Sequence, residues 1–97
     1  MENWKKYRNL SGNSTVRFYQ IGNDYINIVF PPDKKGMAYV YTYDYQTTGK
    51  IHIDIMKKLA ENGSGLAGYI NKKENGISKK YKKKILTNDL VEILKRL

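Results

Sequence analysis

The chain has 97 residues, eighteen Lys and Arg against nine Asp and Glu, and no cysteine. That length supports one domain, and the missing thiols exclude disulfide staples, Cys-type zinc sites and a thiol nucleophile together. The formal charge of +9 favours an anionic partner, either nucleic acid, a nucleotide or an acidic protein surface.

Apart from Arg8, Arg17 and Arg96 the positive charge is all lysine, and Asn and Ile are abundant beside it. An AT-rich coding composition produces the same bias, so charge as function and charge as solubility both stand at this point. The N-terminal "MENWKKYRNL" lacks the apolar centre of a secretory signal. No apolar run is long enough to span a bilayer. The expectation is a cytoplasmic protein (in the host cell cytoplasm if phage-encoded) with no membrane association.

In chain order, "STVRFYQI" (14–21) and "YINIVF" (25–30) read as strands, joined by the glycine-containing turn Gly22 to Asp24. A three-residue turn sets Ile21 opposite Tyr25 and Phe18 opposite Ile28. Val16, Phe18, Ile26, Ile28 and Phe30 then form a core face, and Arg17, Tyr19, Tyr25 and Asn27 share the other. Pro31 to Gly36 is a loop. "YVYTYDY" (39–45) follows, with a tyrosine at every second position. Two registers are open. One sends the tyrosines to the core; the other sends Ala38, Val40, Thr42 and Asp44 there and buries a carboxylate. The first is preferred, with Tyr39 and Tyr41 in the core and Tyr43 and Tyr45 at the rim.

From Lys50 the period changes to that of a helix, with Ile51, Ile55 and Leu59 as a stripe beside Met56 and Ala60. Thr47 or Thr48 is its expected cap, and Asn62 and Gly63 its stop. A short helix over 66–73 is predicted to bury Leu66, Tyr69 and Ile70. Ile77, Tyr81 and Ile85 fall at helical spacing inside a lysine cluster, and "TNDLVEILKRL" (87–97) reads as an amphipathic helix. The class is α+β: a three-stranded antiparallel meander followed by two or three helices. The C-terminal helix is expected to dock on the domain or on a second copy, which makes a homo-oligomer. Residues 1–97 form one domain, with a core at 10–73 and a basic segment and C-terminal helix at 74–97.

This order of features resembles the KTSC-type small domains. The resemblance rests on Ser14, Tyr19, Phe30, Tyr39, Tyr41, Leu59, Ala60, Gly65, Tyr69 and Ile70, over roughly residues 10–73. The Lys-Thr-Ser-Cys signature is absent, and "LSGNSTV" stands in its place. The resemblance implies a small accessory domain of phage or bacterial genomes and carries no activity with it.

"GSGLAG" (63–68) satisfies G-x-G-x-x-G, but it follows a helix rather than a strand, so it is no dinucleotide fingerprint. Ser64 and Gly65 could still present free N–H groups to a phosphate; the plainer reading is a helix–helix turn. Lys72, Lys73, Lys79, Lys80, Lys82, Lys83 and Lys84 crowd into thirteen residues, with Tyr69 and Tyr81 among them. Lysines interleaved with aromatics suit phosphate contact and base stacking, and a solvated helix face is the competing reading. His52 is the single histidine, and no acid–base pair or metal set accompanies it.

The candidate ligand contacts, to phosphate or base, are therefore Arg17, Tyr43, Tyr45, Ser64, Gly65, Tyr69, Lys72, Lys73, Lys79, Lys80, Tyr81, Lys83 and Lys84. No catalytic residue, metal ligand or cofactor is expected. The expected function is non-enzymatic binding of a phosphate-bearing ligand, nucleic acid or nucleotide, including sequestration of a host nucleotide signal. The alternative is a protein-binding inhibitor or accessory subunit acting through its C-terminal helix or a sheet edge.

Overall fold

The computed structural model describes residues 4–12, 14–30 and 38–86. Its elements are β1 (Trp4–Lys6), β2 (Phe18–Ile21), β3 (Tyr25–Val29), β4 (Tyr39–Asp44), α1 (Lys50–Asn62), α2 (Leu66–Asn71), a 3-10 turn (Lys73–Asn75) and β5 (Lys83–Leu86). The strands form one antiparallel sheet in the order β1-β2-β3-β4-β5. The α+β class holds, but the three-stranded meander is corrected to five strands. The additions are "WKK" at one edge and "KKIL" at the other. The helical reading of Ile77, Tyr81 and Ile85 fails with it. Gly76 takes a left-handed conformation (φ 63°) that stops the 3-10 turn, and the chain leaves extended toward β4. The predicted loop at Pro31 to Gly36 and the predicted C-terminal helix lie outside the described residues.

The hairpin register differs from expectation by one residue. Gly22 N–H donates to the Tyr25 carbonyl at 3.0 Å, so the connection is Asn23-Asp24 rather than three residues. The Tyr25 ring lies against Gly22: a Cβ on residue 22 would sit 2.0 Å from a ring carbon, so any side chain there would have to displace the ring. Tyr19 now faces Ile28, and Phe18 faces Val29. Side chains alternate, so this step sends Tyr19 into the helix-side core and Phe18 to the opposite face. Phe18 clusters there with Val29, Ala38, Val40 and Trp4.

The tyrosine row keeps the preferred facing but slides by two residues. Tyr41 pairs with Ile28 and Tyr43 with Ile26. Tyr43 is therefore the core tyrosine, at 1% exposure, and Tyr39 and Tyr41 are half-buried. The expected rim position of Tyr43 is corrected accordingly. Asp44 is buried on the other face, the cost that counted against that placement. It is offset locally: Thr47 donates to it from its backbone N–H (2.8 Å) and its hydroxyl (2.7 Å), and Lys82 lies 3.6 Å away.

Helix α1 covers the isoleucine–tyrosine face with Ile53, Met56 and Ala60, while Ile51 is 76% exposed. The expected stripe was rotated. Apolar residues at 51, 53, 55, 56, 59 and 60 occupy more than half the helix circumference, and pattern alone does not choose the buried arc. Neither threonine caps the helix, because Thr47 is held by Asp44 and the Thr48 hydroxyl donates to the Lys80 carbonyl (2.8 Å). The N-cap is Gly49, with no side-chain bond. The stop is as expected: Gly63 is left-handed (φ 73°), and its N–H reaches the Leu59 and Ala60 carbonyls. Leu66 and Ile70 of α2, together with Ile77, Tyr7 and Val16, complete the core. Tyr69 is half-buried rather than buried.

Candidate functional site: the basic β4–β5 edge

Strand β5 is the outermost strand at its side of the described sheet; Lys83 and Lys84 lie in it, and Lys79, Lys80 and Lys82 lead into it. The chain reaches the edge through an exposed turn at Ser78–Lys79 and then Lys80. Three bonds hold this approach to the domain. Lys82 N–H donates to the Thr42 carbonyl (2.6 Å), Thr48 bonds the Lys80 carbonyl, and the buried Tyr43 hydroxyl donates to the Ser78 carbonyl (3.3 Å). Burial pushes the Tyr43 phenol far above its ordinary range, so it stays a neutral donor. Lys79, Lys80, Lys82, Lys83 and Lys84 are all exposed.

Pairing of Tyr41 with Lys84 and Thr42 with Lys83 sends the two lysines to opposite faces. Lys83 lines a cleft of about 260 Å³ with Asp24, Tyr25, Asn27, Thr42, Asp44 and Lys82. On that face Thr42 donates to the Asn27 amide oxygen (2.5 Å), and the Asn27 amide nitrogen donates to Gln20 (2.8 Å). On the other face the Lys84 ammonium sits 4.5 Å from the Tyr39 ring centroid and 5.2 Å from that of Tyr41. A hydrogen bond with the Tyr41 hydroxyl raises the Lys84 pKa and keeps it charged. Tyr81 packs edge-on against Tyr41 at 5.1 Å and Tyr43 at 6.3 Å, and Phe30 against Tyr41 at 5.4 Å.

The predicted contacts therefore divide. Lys79, Lys80, Tyr81, Lys83 and Lys84 come together at this edge, whereas Lys72 and Lys73 are exposed at the end of α2, with Lys72 3.6 Å from Glu74. Arg17 lies just before β2, separated from β5 by β3 and β4, and its guanidinium donates to the Ser14 carbonyl (3.3 Å). Tyr43 is withdrawn as a contact, because its ring is core.

Tyr45 belongs to a separate patch. Its hydroxyl donates to Asp54 (2.9 Å), which raises the phenol's pKa. Lys50 and Lys57 stand over its ring at 5.4 and 5.3 Å. Hydrogen bonds from Lys50, first, and from Tyr45 hold the Asp54 carboxyl low.

Ser64 and Gly65 form the helix–helix turn. The Leu66 N–H donates to the Tyr7 hydroxyl (3.3 Å), Ser64 N–H turns back to Leu59 (3.4 Å), and α2 is only six residues long. The phosphate-cradle reading is therefore corrected to a turn in which glycine supplies positive φ (83° at Gly65). Tyr69 bonds His52 Nδ1 at 2.7 Å, which ties it to the α1–α2 side.

Sequence reasoning missed Tyr39 and Tyr41 as members of the site, and left Lys82 out of the contacts although it counted it in the cluster. Reading "KKKIL" as a strand would have found them, because only alternation against the tyrosine row sets one lysine over two rings. Among the described residues no three His, Cys, Asp or Glu side chains could hold a metal ion, and no helix is long and apolar enough to cross a membrane.

No family model matches the chain, and no curated protein or solved structure matches it either. The likeness to KTSC-type domains therefore rests on the short motifs alone.

Proposed function

We propose that this protein is a non-enzymatic binding module for a phosphate-bearing polymer, nucleic acid, which runs along the β4–β5 edge. The observation that carries this reading is the distribution of exposed lysines. Lys79, Lys80, Lys82, Lys83 and Lys84 follow one another along the turn and strand, and the last two fan to opposite faces. Lysines directed to one mononucleotide would converge on one cavity; lysines strung along an edge match successive phosphates. The adjacent tyrosines supply the aromatic surface that a nucleic-acid site combines with such charge.

Binding of an acidic protein at the sheet edge ranks second. Lysines on an edge strand guard it against strand addition, and those lysines are the feature such a partner would have to use. Retention on immobilised heparin and on single-stranded DNA at low salt, with elution as salt rises, is the expected result. Protein that flows through both columns at low salt refutes the reading.

A further inference from the structure

We infer that the polymer is bound as a single strand, with an unpaired base stacking on Tyr39 at the place the Lys84 ammonium occupies in the free protein. This inference rests on the nucleic-acid reading above and names the form of the ligand.

Three observations converge on it. First, the β4–β5 register places Lys84 opposite Tyr41 and one step from Tyr39, on one face. A single ammonium therefore covers both rings, at 4.5 and 5.2 Å. Second, the two rings differ in their surroundings. Tyr41 is gripped edge-on by Phe30 and Tyr81. Tyr39 has no ring–ring contact among the described residues, and both tyrosines are half-buried. Among the described residues, the side chain recorded over the Tyr39 ring is that of the exposed Lys84. Third, residues 78–86 carry no Asp or Glu, so nothing anionic on the strand competes for the charge of Lys84.

Two cation–π contacts and one bond to the Tyr41 hydroxyl hold the exposed Lys84 only weakly. A phosphate arriving along the lysine edge offers the ammonium a stronger partner. As Lys84 swings to the phosphate it uncovers Tyr39, and a base has the flat π-face that takes its place. Duplex bases are already stacked and paired and cannot reach the ring; an unpaired base can.

The test compares one 20-nucleotide DNA single strand with its duplex at fixed low salt, for the wild type, Tyr39→Leu, Tyr39→Phe and Lys84→Gln. The wild type is expected to prefer the single strand. Tyr39→Leu should weaken single-strand binding by about 5- to 100-fold and leave duplex binding within about twofold, since stacking is the interaction removed. Tyr39→Phe keeps the ring and should match the wild type. Lys84→Gln should reduce the salt slope on both forms.

A second readout needs no variant at Tyr39. The Lys84 side-chain methylene protons, shifted upfield by the tyrosine rings in the free protein, should move downfield when the single strand binds. Equal weakening of both DNA forms by Tyr39→Leu, or unmoved Lys84 resonances at saturation, overturns the inference while leaving nucleic-acid binding intact. A wild type that binds neither form overturns the parent reading and this inference with it.

Discussion

Replacing Asp44 by Asn probes the joint on which the basic edge is hung. The Asp44 carboxylate accepts two bonds from Thr47, faces Lys82 at 3.6 Å, and is only 8% exposed. Asparagine keeps the shape and one acceptor oxygen but removes the charge. Two charge-assisted bonds become neutral ones, at a cost of about 1 kcal/mol each. The Lys82 pair, half open to solvent, adds less than about 1 kcal/mol. The expected loss is about 2 kcal/mol, or roughly 8–16 °C in Tm for a domain of this size.

The pH dependence has a definite sign. The Thr47 hydrogen bonds, first, and Lys82 lower the Asp44 pKa in the folded state. The stabilisation is therefore complete above the unfolded carboxylate's pKa of about 3.9 and fades as pH falls through the lower folded value. Urea unfolding of wild type and variant at several pH values measures it. The stability gap should be constant near neutrality and close in acid. A gap below about 0.5 kcal/mol at neutral pH, or one that persists unchanged in strong acid, refutes the reasoning.

Other outcomes follow from packing. Ile53→Ala should cost about 2–4 kcal/mol because Ile53 is fully buried under the sheet, whereas Ile51→Ala, 76% exposed, should stay within about 0.5 kcal/mol; chemical denaturation of the pair decides which arc of α1 is inside. Gly63→Ala should destabilise by more than Gly65→Ala in thermal unfolding. Both have positive φ, worth about 1–2 kcal/mol, but a Cβ at 63 would also meet the Arg8 Cβ at 2.6 Å, while at 65 the nearest atom is Leu59 Cδ2 at 3.6 Å.

The α+β class, the β2–β3 hairpin, the facing of the tyrosines and the Gly63 stop were legible because each is encoded locally, in alternation, turn residues or a left-handed glycine. The register was not. It turned on whether the turn holds two residues or three, and the deciding Gly22–Tyr25 backbone bond is one that no hydrophobic pattern records. The edge strands were not legible either. "WKK" and "KKIL" are too short and too charged to resemble strands, and they are strands because β2 and β4 offer them ladders. The lysine cluster stood out as charge. Its division between two faces, and the placement of Lys84 over two rings, depend on β5 and so were hidden with it. The GSGLAG motif was the opposite case: conspicuous in sequence, and in space a turn whose N–H groups at Ser64 and Leu66 are taken by Leu59 and Tyr7.

The central claim is that the β5 edge neutralises phosphates, and the salt dependence of single-stranded DNA binding tests it most directly. Affinity should be measured across a range of salt for the wild type and for a variant carrying Lys79→Gln, Lys80→Gln, Lys83→Gln and Lys84→Gln. These side chains are exposed, so the fold should persist. Each phosphate contact contributes about 0.7 to the slope of log K against log salt, so loss of four should flatten it by about 3. A variant whose slope and affinity equal those of the wild type would place the interaction elsewhere and contradict the account.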